Sequence, residues 1–119
     1  MKYLLLIYEN EKSFAGLSEA EQGKIFEEYM TYTKGIRKSG NYIGGEALQA
    51  ISTATTVRVK NGKTITTDGP FAETREQLGG YYLVEAKDLD EAIKLAAGIP
   101  ASRTGSIEVR PILPTPPIE

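Results

Sequence analysis

Asp68-Gly69-Pro70-Phe71-Ala72-Glu73-Thr74-Arg75-Glu76-Gln77-Leu78-Gly79-Gly80-Tyr81-Tyr82 joins two segments that read as strands, and its reading decides how the chain folds. Asp-Gly-Pro is turn chemistry: glycine tolerates backbone angles that other residues avoid, and Pro70 fixes its own φ while pushing Gly69 out of the helical region. From Phe71 to Leu78 the chain is polar except at Phe71, Ala72 and Leu78. Gly79-Gly80 then leads into Tyr-Tyr-Leu-Val, a β-branched and aromatic run suited to a pleated sheet. A loop dense in ionisable groups and pinned between rigid turns is where a site is expected.

Immediately upstream, Thr55–Lys60 and Lys63–Thr67 alternate around Asn61-Gly62, the strongest short-range hairpin signal. Lys2–Tyr8 is a continuous apolar run with polar ends. It reads as a strand buried on both faces, or on one face with a partner chain on the other. Glu9–Leu17 reads as a loop. Ser18 with Glu21 has the spacing of a capping box. Acidic residues in the first turn and Lys34, Arg37 and Lys38 in the last suit the helix dipole. Between them Ile25, Tyr29, Tyr32 and Ile36, joined by Phe26 and Thr33, form a stripe at helical spacing, which Ser39-Gly40-Asn41 ends.

Tyr42–Leu48 is a weaker strand whose two glycines suggest a bulge or a close backbone approach. Gly80–Ala86 is a strand. Asp88 or Asp90 caps a helix running to Ala97, with Leu89, Ala92, Ile93, Ala96 and Ala97 as its apolar face and Gly98 and Pro100 as its stop. Gly105–Arg110 is the last strand, and the prolines of 111–119 make an extended tail. The order is β-α-β, hairpin, β-α-β. That predicts an α+β ferredoxin-like fold, an antiparallel sheet with helices on one face, within a single domain over 1–119. The uncovered face and the apolar first strand give a physical reason for two chains to pack sheet to sheet.

The loop resembles the signature of the YCII-related family in its DGPF branch. Ile107-Glu108-Val109-Arg110-Pro111 and Met1-Lys2-Tyr3-Leu4-Leu5-Leu6-Ile7-Tyr8 extend the similarity over nearly the whole chain. The resemblance implies a ferredoxin-like fold that pairs into a dimeric α+β barrel, and no settled activity. Some relatives resemble proteins encoded beside, or fused to, alternative sigma factors, which implies a regulatory protein partner as one role. Some YCII-related proteins are thought to use a histidine with an aspartate; this chain has no histidine and lacks that pair.

Composition narrows the function. A net charge of −2 with scattered Lys and Arg offers no basic surface for nucleic acid. No run is long enough for a membrane span or a signal segment, so a cytoplasmic location is expected. The absence of cysteine removes a disulfide framework and a thiol nucleophile. The absence of histidine removes the usual neutral-pH base and most transition-metal sites, so no cofactor is expected.

Asp68 is the first catalytic candidate. Buried against Phe71 it would act as general acid or base; as an Asx-type turn cap it would bond the following amides. Glu73 is the second, moving a proton while Arg75 clamps an anionic ligand, with Glu76 beside them; the same cluster also reads as a solvated loop or an ion pair at a dimer edge. Carboxylates at Asp68, Glu73 and Glu76 match no cation-loop spacing. Among seven tyrosines, Tyr8 and Tyr81 are candidates to line a pocket, and Tyr29 and Tyr82 read as core. Glu108 and Arg110 share one face of the last strand, either inside a barrel or as an edge pair. Two functional classes follow: a cofactor-independent small-molecule enzyme, or a non-catalytic binding or regulatory module.

Overall fold

Eight residues of alternating burial open the chain. In β1 (Lys2–Glu9), Tyr3, Leu5 and Ile7 are buried, whereas Leu4, Leu6 and Tyr8 on the opposite face are only half-buried. The computed structural model describes residues 1–118. After β1 come α1 (Glu11–Ala15), α2 (Glu19–Lys38), β2 (Tyr42–Ala47), β3 (Thr55–Lys60), β4 (Lys63–Asp68), β5 (Gln77–Glu85), α3 (Leu89–Ala97) and β6 (Ser106–Pro111). Short 3-10 turns occupy Ile51–Thr53 and Pro100–Arg103. Four strands form an antiparallel sheet in the order β2-β5-β1-β6. Two β-α-β units interleaved in this way make a ferredoxin-like α+β fold.

Local chemistry explains most boundaries. Ser18 accepts from the Glu21 N–H, and the Glu21 carboxylate accepts from the Ser18 N–H, so the capping box that starts α2 is closed in both directions. The Ser18 N–H, and after it the Ser18 hydroxyl, hold the Glu21 carboxyl below its ordinary pKa. Asp88 caps α3 by accepting from the Glu91 N–H. The segment read as a loop over Glu9–Leu17 contains α1, a single short helix capped by Asn10, whose side chain accepts from the Lys12 and Ser13 N–H groups. One helical turn is too short for an apolar period to show, so only the cap could have signalled it.

Helices cover one face of the sheet. Tyr3, Leu5 and Ile7 of β1, Tyr82 and Val84 of β5, Ile36 of α2 and Ala92 and Ala96 of α3 form the core with Ile99 and Ala101. The structure corrects two stripe assignments. Phe26 is 67% exposed, and Leu89 and Ile93 of α3 are about half exposed; Ala92, Leu95, Ala96 and Ile99 turn inward instead. Small side chains on α3 let it sit close to the sheet, which leaves its larger residues facing out.

The glycines of β2 and β5 allow close strand approach. A Cβ at Gly45 would lie 2.7 Å from the Tyr81 carbonyl, and one at Gly80 would lie 2.9 Å from the Glu46 carbonyl. Between Ile7 and Tyr8 the register with β5 slips, so that Gly80 opposes Ile7, Leu78 opposes Tyr8, and Gly79 is the extra residue of a bulge.

The β3–β4 hairpin stands apart. Asn61 (φ 50°) and Gly62 (φ 75°) form its tight turn, and the two strands pair only with each other. The radius of gyration is 16.5 Å, against roughly 13–14 Å for a compact chain of this length. The hairpin, which pairs with no other strand, contributes to the excess. The smallest dimension, 21 Å, is that of one sheet carrying one helix layer.

Candidate functional site

The Asp68–Leu78 loop returns from the hairpin to the sheet, and its first half closes one side of an open cleft of about 540 Å³. Pro70, Phe71 and Ala72 line that side. The segment from Leu48 to Ala54, including the Ile51 turn, lines the other, and Tyr8 with Leu78 forms the floor at the end of the sheet. The bulge at Gly79 brings Leu78 opposite Tyr8, so a local slip in register shapes the floor. The walls are mainly apolar. Phe71 is 80% exposed, an unusual state for a phenylalanine and one that a flat apolar ligand would relieve.

Backbone bonds hold the entrance. Gly69 adopts φ 93°, its N–H donates to the Ala54 carbonyl at 2.7 Å, and the Thr56 hydroxyl donates to the Gly69 carbonyl at 2.8 Å. Asp68 is the exposed last residue of β4 and lies outside the cleft lining. Its carboxylate accepts no hydrogen bond among the described residues, so the turn is closed without an Asx cap.

A second, smaller hollow of about 240 Å³ adjoins the cleft, sharing Ile51, Thr74 and Gln77 with it. Arg75 and Lys12 border it. A polar network lies between the two. Gln77 accepts from the Glu11 N–H at 2.9 Å and donates to the Thr74 carbonyl at 2.7 Å, and Glu11 in turn accepts from the Ile51 N–H at 2.9 Å. Gln77 and Glu11 thus tie the loop, α1 and the Ile51 turn into one frame. Sequence reasoning passed over both, because glutamine and glutamate carry no positional signal until the elements that they join are known.

A match to the family model of the YCII-related domain spans residues 1–116. The chain belongs to the YCII-related family. A protein of Rhizobium meliloti (strain 1021), described as uncharacterized, is 35% identical over 114 residues, covering 94% of this chain and 92% of the relative. Family membership brings no reaction with it, so the arrangement of this YCII-related chain has to be read from its own side chains.

The candidates divide into three places. Tyr8 and Phe71 meet in the cleft. Arg75 borders the smaller hollow, while Glu73 is exposed and lines neither. Glu76 turns away to accept from the Ser106 hydroxyl at 2.7 Å, which fastens the loop to β6. On the open sheet face, Leu6 has Tyr81 on one side and Glu108 on the other, and Arg110 pairs with Glu108 beside Leu4. Glu73, Arg75 and Glu76 therefore form no joint cluster. Among the described residues no group of three or more acidic, histidine or cysteine side chains could hold a metal ion, and no helix is long and apolar enough to cross a membrane.

The tyrosines displaced furthest from ordinary titration lie on the helix side, away from the cleft. Burial, with help from the Glu9 charge, pushes Tyr29 up to about 12. Burial followed by neighbouring Tyr82 raises Tyr32, and burial raises Tyr82 against the opposing effect of its bond to Thr33. These are core hydroxyls. They are not poised acids.

Proposed function

We propose that this YCII-related protein is a small-molecule-binding module whose cleft beside the Asp68–Leu78 loop takes a flat, largely apolar ligand, and that two copies pair through the open sheet face. The observation that carries the reading is the cleft itself, with Phe71 exposed over an apolar floor of Tyr8 and Leu78. Sites for small molecules are concave and mainly apolar, with few polar groups fixing orientation. Here Thr74 and Gln77 are such groups at the rim. Pairing is supported by Leu4, Leu6, Tyr81 and Leu83, which lie side by side across β1 and β5 on the face that no helix covers.

Asp68 and Glu73 lie outside the cleft lining, so neither carboxylate is positioned to exchange a proton with a ligand held there.

The test is a titration of the folded protein with anilinonaphthalene sulfonate, an apolar aromatic probe, followed by NMR. Saturable binding with shifts centred on Tyr8, Leu48 and Phe71, weakened in Leu48→Asp, is expected. Shifts confined to the open sheet face, or undiminished binding by Leu48→Asp, overturn the cleft as the site.

A further inference from the structure

The β3–β4 hairpin carries chemistry on its two faces that its own chain does not use. The register places Thr55 opposite Asp68, Val57 opposite Thr66 and Val59 opposite Thr64, so beyond Asp68 at its base one face is β-branched and uncharged out to the turn. The other carries Arg58, Lys60 and Lys63. Val57 is 59% exposed and Val59 67% exposed. A two-stranded hairpin alone is marginal in water, and unpaired strand edges with bare apolar side chains invite association.

We propose that the arm docks through its Val57, Val59, Thr64 and Thr66 face onto a second copy of this chain. Charge favours that occupant through long-range attraction, not through the docked face itself. Arg58, Lys60 and Lys63 stand against Asp68 alone within the hairpin, yet the whole chain has a net charge of −2. The body is therefore distinctly acidic and the arm basic, a complementarity that each copy offers to the other and that steers the encounter. The arm also departs beside the cleft, at Ala54 and Gly69, close to the end of the sheet whose open face awaits a partner. Two such arms, each reaching across the symmetry axis, give the reciprocal contact of a two-fold pair. The inference rests on the pairing proposed above and extends it to a surface outside the sheet.

The absence of cysteine makes a direct test available. Single thiols are introduced as Val59→Cys on the uncharged face and Lys60→Cys on the basic face, and their reaction with a maleimide is timed in samples whose mass is fixed by sedimentation. Docking predicts that the thiol of Val59→Cys reacts about tenfold or more slowly than that of Lys60→Cys in the dimer, a protection lost on dilution to monomer. Val59→Lys should raise the dimer dissociation constant about tenfold or more, the loss expected of an interface anchor. Equal thiol rates in a chain that sediments as a dimer overturn the arm contact and leave the pairing of sheets standing. A wild-type chain that remains monomeric at every concentration overturns both.

Discussion

The Thr33 hydroxyl lies 2.7 Å from the Tyr82 hydroxyl, and it also donates to the Tyr29 carbonyl at 2.8 Å. A threonine has one proton to give, so Tyr82 is the donor in the first bond. Thr33→Val removes the acceptor and leaves a part-buried phenol unpartnered, whereas Tyr82→Phe leaves Thr33 still bonded to its own helix. The first change is expected to cost about 1–3 kcal/mol and the second about 1 kcal/mol or less, measured by urea unfolding. Equal losses would sink the assignment of the donor.

Alkaline titration should expose the same cluster. Tyr29 ionises near 12 in the fold, and Tyr32 and Tyr82 are also raised above the ordinary value of 10. Each contributes stability that is complete below about pH 10 and is lost as the pH rises through the folded value, because the unfolded chain releases those protons first. Unfolding midpoints should therefore hold from neutrality to about pH 9 and fall steeply above 10, with Tyr29→Phe flattening the fall. A midpoint flat through this window would refute the account.

Two glycines predict opposite outcomes for one substitution. Nothing lies within 4 Å of a Cβ at Gly35 in the last turn of α2, so Gly35→Ala should stabilise by roughly 0.5–1 kcal/mol through helix propensity. At Gly105 the added carbon would strike the Tyr8 carbonyl and the Glu9 side chain. Gly105→Ala should cost about 2 kcal/mol or more and spread β6 from β1, seen as faster amide exchange there.

Gln77 offers a test of the frame behind the cleft. Gln77→Leu keeps the volume but removes both the acceptor for the Glu11 N–H and the donor to the Thr74 carbonyl. The expected result is faster exchange of α1 and the Ile51 turn, with the core of β1 and β5 unchanged. Protection unchanged throughout would show that the loop is held without it.

Elements with local chemistry were legible in the sequence. Ser18 with Glu21 marks the start of α2, Asn61-Gly62 marks the hairpin, Asp88 and Gly98 bracket α3, and the apolar run from Tyr3 identifies the central strand. What could not be read was anything set by assembly. Val57 and Val59 alternate as they would in a half-buried strand, so nothing local says that the hairpin leaves the sheet. Phe26 fits the apolar stripe of α2 in period yet lies beyond the reach of the sheet. At the site, Tyr8 and Phe71 could be named from the chain, but the opposite wall, Leu48 to Ala54, has no motif and gains meaning only through the elements around it.

Ala54 and Gly69 face each other across a single 2.7 Å hydrogen bond, so the hairpin leaves and rejoins the body at one doorway. Topologically it is a graft: β2 and β5 would keep their pairing if the segment Thr55–Asp68 were exchanged for a short turn. Such an appendage can lengthen, shorten or change its surface without renegotiating the core. A change confined to the arm therefore alters what this chain presents to its surroundings while the sheet beneath stays the same.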